Sequence, residues 1–233
     1  MFPTSEFDHH FSLANIPFGI ASVPDRNIPP QAATRIQSFV VLLAPLAKAG
    51  HFTDIEYPLI SIFEERTLNT FAALPKSVHL SVRTTLQKLL HGGDEEIALR
   101  LPAHSVVPAH LVQMHVPVRV GDFTDFSVSA AHALRAGEAV LGKAYLPPAF
   151  KQFPIGYGGR SSSVVISGTP IERPLGQFVD RNSGDEKTVI LAPSREVDYE
   201  LEVAAVVGKP VAMGERLYAK DADGHIFGVG LDI

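Results

Sequence analysis

Residues 195–207 read REVDYELEVAAVV, the most regular strand pattern in the chain. Val197, Tyr199, Leu201 and Val203 alternate with Asp198, Glu200 and Glu202. Side chains on a strand point to opposite faces with period two, so one face is apolar and the other carries carboxylates spaced about 6.5–7 Å apart. The pattern predicts a strand over residues 195–207 with one fully apolar face. Two readings of the acidic face stand side by side. It is the wet side of an edge strand, or it lies in a sheet interior, as the run into Ala204-Ala205-Val206-Val207 suggests. In an interior, like charges repel more strongly as they lose solvent, and they then need raised pKa values or a cation. Oxygen donors of this kind suit Mg2+ or Ca2+. Glu200 and Glu202 are therefore metal-ligand candidates, with Asp198 as a further one.

Upstream, residues 121–132 (GDFTDFSVSAAH) set Asp122 and Asp125 ahead of His132 in a loop running into a short helix. If residues 127–134 are helical, the seven-residue step from Asp125 to His132 is close to two turns, and the two share a side. A carboxylate at the helix entry and a histidine further along suit a metal-assisted general base, since neutral imidazole is a base near neutral pH. The same spacing also arises by chance, and the alternative is that Asp122 and Thr124 simply cap the helix. Residues 156–160 (GYGGR) lack the frame of a phosphate loop, so nucleotide binding is set aside. Their glycines let the backbone approach something closely. Tyr157 between them either points a phenol into a pocket or packs ordinarily. There is no G-x-S-x-G elbow, so a serine hydrolase of the common α/β kind lacks support.

The rest of the chain fills in the fold. Residues 1–15 read as an irregular arm, 16–23 (IPFGIASV) as strand-like, and 24–30 as a Pro/Asp/Asn loop. Residues 38–43 (SFVVLL) read as a buried strand. Residues 45–50 read as a helical turn stopped by Gly50, and residues 68–74 as helical. Residues 75–91 form the clearest helix, with Val78, Val82, Leu86 and Leu89/Leu90 at helical spacing and Gly92-Gly93 ending it. From residue 98 onward Pro102, Pro108 and Pro117 favour extended segments. The fold class expected is α+β, mostly β, with a mixed domain over residues 1–117 and a Gly-rich, strand-rich one over 118–233.

Composition narrows the function classes. With 233 residues, 45% of them hydrophobic, the chain has enough apolar side chains for a sizeable core. A net charge of −5 gives no electrostatic case for nucleic acid or an anionic membrane. The absence of cysteine excludes disulfides, thiolate metal sites and a Cys nucleophile. The start, MFPTSEFDHHFSLANIPFG, has acids and no basic region, so no signal peptide is expected. No apolar run approaches the roughly 18 residues a membrane span needs. A cytoplasmic protein is the expectation.

Several of these stretches together resemble the fumarylacetoacetase family. They are GDFTDF at residues 121–126 with His132; PIGYxGRxSSVVxSGTPI at residues 154–171; Glu200-Leu201-Glu202; and His225-Ile226-Phe227-Gly228. Residues 68–71 (LNTF) and 86–90 (LQKLL) extend the likeness into the first domain, so it covers nearly the whole chain. The resemblance implies an SH3-like N-terminal domain, a β-rich catalytic domain with a Mg2+ or Ca2+ site, and a homodimer. It implies hydrolysis of a carbon–carbon bond in a β-diketone, 4-fumarylacetoacetate, to fumarate and acetoacetate in tyrosine breakdown. By motif position Asp125, Glu200 and Glu202 are then metal ligands, His132 the base that activates water, and Tyr157 a substrate contact.

The likeness runs out after Gly228, where the family continues into an Asn-Asp-Trp-Ser-Ala-Arg-Asp motif that completes its metal site. The expectation is the N-terminal half of a family chain, with the incomplete domain poorly soluble or partly unfolded beyond residue 120. A non-catalytic remnant that binds metal or a partner chain is the alternative. Ser127 stands where the family has tyrosine, Leu141 where it has arginine, and Gly158 where it has histidine. Losing that arginine removes a bidentate carboxylate contact, which motivates a third reading, a hydrolase or decarboxylase of a different diketone.

Overall fold

The computed structural model describes residues 8–92, 94–153, 155–180, 184 and 188–232. Part of the expected arm, Gly93 and Pro154 lie outside them. Strands β1 (Phe18–Val23) and β2 (Ile28–Ile36) form an antiparallel hairpin. Pro24–Arg26 make a 3-10 turn between them, closed by Asn27 in the left-handed region at φ 54°, which asparagine tolerates. The sequence predicts a loop through Pro30, but β2 begins at Ile28. Pro29 and Pro30 fall where the ladder slips, between the pairs Val23↔Ile28 and Ala21↔Gln31. Prolines are accommodated in a strand at such irregularities.

Strand β3 (Phe39–Leu42) is the buried apolar run expected there. Helix α1 (Leu43–Lys48) stops before Gly50, whose φ is 85°. Helices α2 (Leu59–Phe63), α3 (Asn69–Ala72), α4 (Lys76–Leu89) and α5 (Asp94–Arg100) follow. Strands β4 (Val106–Pro108) and β5 (Gln113–His115) complete a five-stranded antiparallel sheet of order β4-β3-β2-β1-β5. Its edge strands have three residues each, and Pro108 ends one, which blunts both edges against pairing with another chain. Helix α4 buries Val78, His79, Val82 and Leu86, the stripe its helical spacing predicts. The fold is mixed α and β and mostly sheet.

The chain divides into two compact units, Met1–Pro117 with Ile166–Ile233, and Val118–Val165. The smaller one holds strand β6 (Thr124–Ser127), helix α6 (Ala130–Leu141) and strand β7 (Ile155–Gly158), with β6 and β7 antiparallel. The larger unit adds two antiparallel pairs to the five-stranded sheet. These are β8 (Leu175–Val179) with β9 (Val189–Pro193), and β10 (Glu202–Val207) with β11 (Ile226–Asp232).

Burial is distributed unevenly. Every buried apolar side chain among the described residues lies between Ile16 and Val107. Beyond Val107, Gly137 alone is buried among them. A ring ties the β10–β11 pair to the first part of the chain. Phe227 of β11 stands 6.1 Å from Phe18, 5.6 Å from Phe71 and 5.0 Å from His79, centroid to centroid. Lys76 on α4 reinforces the tie with an ion pair to Asp223 at 3.0 Å and a bond to the Ile226 carbonyl at 3.3 Å.

Candidate functional site

In the smaller unit the β6–β7 register sets Asp125 opposite Tyr157. The Tyr157 phenol donates to Asp125 Oδ2 at 2.6 Å, and the Thr124 hydroxyl donates to the Tyr157 carbonyl at 3.1 Å. Glycine is required beside this pair. A Cβ on Gly156 would meet the Asp125 carbonyl oxygen at 2.6 Å and the Phe126 ring at 2.5 Å. A Cβ on Gly159 would run into the Phe123 ring. The close approach expected of these glycines is thus to their own neighbouring strand. Tyr157 itself remains 65% exposed, so its ring is accessible while its hydroxyl is engaged.

His132 lies in the first turn of α6, exposed. The cap is Ser129, whose hydroxyl accepts from the His132 backbone N–H at 3.3 Å. Asp122 and Thr124 do not cap the helix, because β6 intervenes. Thr124 begins that strand, and Asp122 Oδ1 accepts from the Phe123 backbone N–H at 2.8 Å. A hollow of about 260 Å3 in this unit is lined by Ser127, Val128, Phe150, Lys151, Gln152 and Phe153.

In the larger unit the carboxylate row departs from the sequence expectation in where its strand begins. The strand begins at Glu202, so Asp198 and Glu200 precede it rather than share its face. Glu202 lies opposite Asp232 in the β10–β11 ladder. Asp198 instead accepts from the Tyr199 backbone N–H at 2.8 Å. Glu202, Ala204 and Val206 are half-buried, whereas Val203, Ala205 and Val207 are exposed, Val203 at 74%.

Among the described residues no group of three or more His, Cys, Asp or Glu side chains stands together to hold a metal. Asp125, Glu200 and Glu202 suit a hard divalent ion by donor type, since all three offer carboxylate oxygens. The pair the structure does bring together, Asp125 with Tyr157, joins two residues that the sequence reading gave separate roles. The alternating TDF and IGY segments were the available signal for it.

Comparison with known proteins places these features in a family. The family model for the fumarylacetoacetase N-terminal domain matches residues 14–117. The model for the fumarylacetoacetate hydrolase C-terminal domain matches residues 123–231. The chain is 37% identical over 229 residues to a fumarylacetoacetase of Aspergillus fumigatus, covering 95% of this chain and 53% of that one. It is 38% identical over 231 residues to that of Oryza sativa subsp. japonica, covering 94% and 52%. The rat fumarylacetoacetase is 35% identical over 236 residues, covering 98% and 54%. The chain spans about half the length of the curated relatives it matches. With both domain models aligned to it in order and these identities along nearly its whole length, the chain belongs to the fumarylacetoacetase family.

Proposed function

We propose that this chain contributes to a metal-dependent hydrolase that cleaves a carbon–carbon bond of a β-diketone. The substrate is 4-fumarylacetoacetate, the products are fumarate and acetoacetate, and the setting is tyrosine and phenylalanine catabolism. The observation that carries the reading is the Tyr157–Asp125 hydrogen bond at 2.6 Å, within a unit matched by the hydrolase domain model. It holds a carboxylate oriented beside an accessible aromatic ring.

In this reading Asp125, Glu200 and Glu202 hold a divalent ion, Mg2+ or Ca2+. When bound, such an ion polarises the diketone oxygens and offsets charge on the enolate leaving group. His132 takes a proton from water, and the hydroxide adds to the acyl carbonyl carbon. The carbon–carbon bond then breaks, its electron pair goes to the enolate carbon, and that carbon takes a proton. Tyr157 offers its ring to the substrate while its phenol keeps Asp125 oriented. The domains are residues 1–117, SH3-like, and residues 118–233. The working assembly is a cytoplasmic homodimer. No helix among the described residues is long and apolar enough to cross a membrane.

The test is the loss of diketone absorbance with magnesium, with a chelator, and in His132→Ala and Tyr157→Phe. The expected result is a loss of about 100- to 10,000-fold in His132→Ala. An unchanged rate in that variant overturns the role of His132. Ser127 and Leu141 favour a different diketone as the alternative substrate. A second reading is a non-catalytic family member that binds metal or a partner chain. Absence of turnover on any acylacetoacetate supports it.

A further inference from the structure

His79 is a buried titratable group with no part in the chemistry above. It lies on the buried face of α4, one turn after Lys76. Its Nε2 is 2.8 Å from the Phe71 carbonyl oxygen. A carbonyl only accepts, so Nε2 carries the hydrogen and the neutral ring leaves Nδ1 bare. Nδ1 is buried and has no hydrogen-bond partner among the described residues. The ring packs edge-on against Phe71 at 5.0 Å and 69°, and against Phe227 at 5.0 Å and 76°.

Phe227 belongs to the β10–β11 hairpin, which also meets the first part of the chain at Gly208, where a Cβ would strike the Ala72 carbonyl. We propose that neutral His79 is a positioning residue: it seats Phe227, thereby fixing the hairpin that carries Glu202 against helix α4, and its protonation releases the hairpin. The docking stands on these contacts alone. Its bearing on catalysis rests on the reading of Glu202 as a metal ligand.

Protonation would place a charge and a new N–H donor at Nδ1, where no acceptor waits. A buried donor left without a partner is costly, and a buried unpaired charge more so. Burial pushes the His79 pKa down; the bond to the Phe71 carbonyl pushes it up, and the Lys76 charge pushes it down again. Of the other charged or titratable groups of the elements packed here, Asp223 pairs with Lys76, His225 Nδ1 is 2.9 Å from the Lys209 carbonyl, and Arg83 donates to the carbonyls of Ala14, Asn15 and Ile16. None of these three supplies an anion to the ring. The folded state therefore binds fewer protons at His79 than the unfolded state, whose imidazole titrates near 6.5. Docking is fully present above about pH 6.5 and is lost as the pH falls through the lower folded value.

Hydrogen exchange on the full chain, corrected for intrinsic rates, tests this between about pH 7.5 and about pH 5.5, alongside an NMR titration of the His79 ring. The wild type is expected to lose protection over residues 202–207 and 226–231 as the pH falls. By about pH 5.5, one unit below the unfolded value near 6.5, the loss should reach up to about tenfold, while β1 and β2 stay protected. His79→Gln, which keeps an N–H donor toward the Phe71 carbonyl but does not titrate, is expected to hold the hairpin independently of pH. Phe227→Leu is expected to lose hairpin protection at every pH and to return the His79 titration toward 6.5. A flat wild-type profile, the same acid loss in His79→Gln, or an unshifted ring titration in the wild type overturns the proposal. None of these readouts depends on hydrolysis, so they fail separately from the catalytic reading.

Discussion

Replacing Phe71 by alanine is predicted to remove a large share of the stability of the larger unit. The side chain is 1% exposed. Its ring stands 5.1 Å from Phe18, 5.3 Å from Phe63, 5.0 Å from His79 and 5.6 Å from Phe227. It thus links β1, α2, α4 and β11. A buried phenylalanine takes roughly 150–250 Å2 out of water, a gross gain of about 4–6 kcal/mol at 25 cal/mol per Å2. Alanine retains part of that gain, and the surroundings close part of the cavity, which brings the expected loss to about 3–5 kcal/mol. That is a large share of the roughly 5–15 kcal/mol available to a domain. Phe71→Leu keeps most of the volume, loses the edge-to-face geometry, and should cost about 1–2 kcal/mol. The assay is urea unfolding followed by far-UV circular dichroism, since the chain has no tryptophan. A loss under about 1 kcal/mol for Phe71→Ala, against the 3–5 expected of a buried ring, would refute the placement of Phe71 at the centre of this cluster.

Three further outcomes follow from local geometry. Ser129→Ala removes the cap on α6 and should cost that helix about 1 kcal/mol, seen as faster exchange of its first-turn amides, with Ser129→Asp restoring protection. Gly156→Ala should force β6 and β7 apart at a cost of about 1–3 kcal/mol and release the Tyr157–Asp125 bond. Gly158→Ala, where an added Cβ meets nothing within 4 Å, should leave that bond intact; cross-strand NMR contacts separate the two. Lys76→Met removes an ion pair whose aspartate side chain is 84% exposed, so it should change stability by under about 1 kcal/mol in urea titration.

Helix α4 was legible because Val78, Val82 and Leu86 recur at helical spacing and face one core. His79 sits on the same stripe, yet periodicity alone cannot show that its ring meets Phe227, 148 positions away in the chain. Strand β2 escaped because Ala32, Ala33 and Thr34 are buried in succession, which erases the period-two signal, and because Pro29 and Pro30 look like loop until the bulge that accommodates them is seen. The alternation over residues 197–203 established that two faces exist. It held no information on which face is covered or on where a partner strand ends, and both depend on residues distant in sequence. The Asp125–Tyr157 pair is likewise a matter of long-range register.

The central claim is hydrolytic cleavage of a β-diketone, and product analysis in heavy-oxygen water tests it most directly. Hydroxide addition to the acyl carbonyl predicts one heavy oxygen in the carboxylate of the acyl fragment and none in the acetoacetate, with both fragments absent in His132→Ala. Unchanged diketone, or carbon dioxide in place of a second carboxylate fragment, would contradict it.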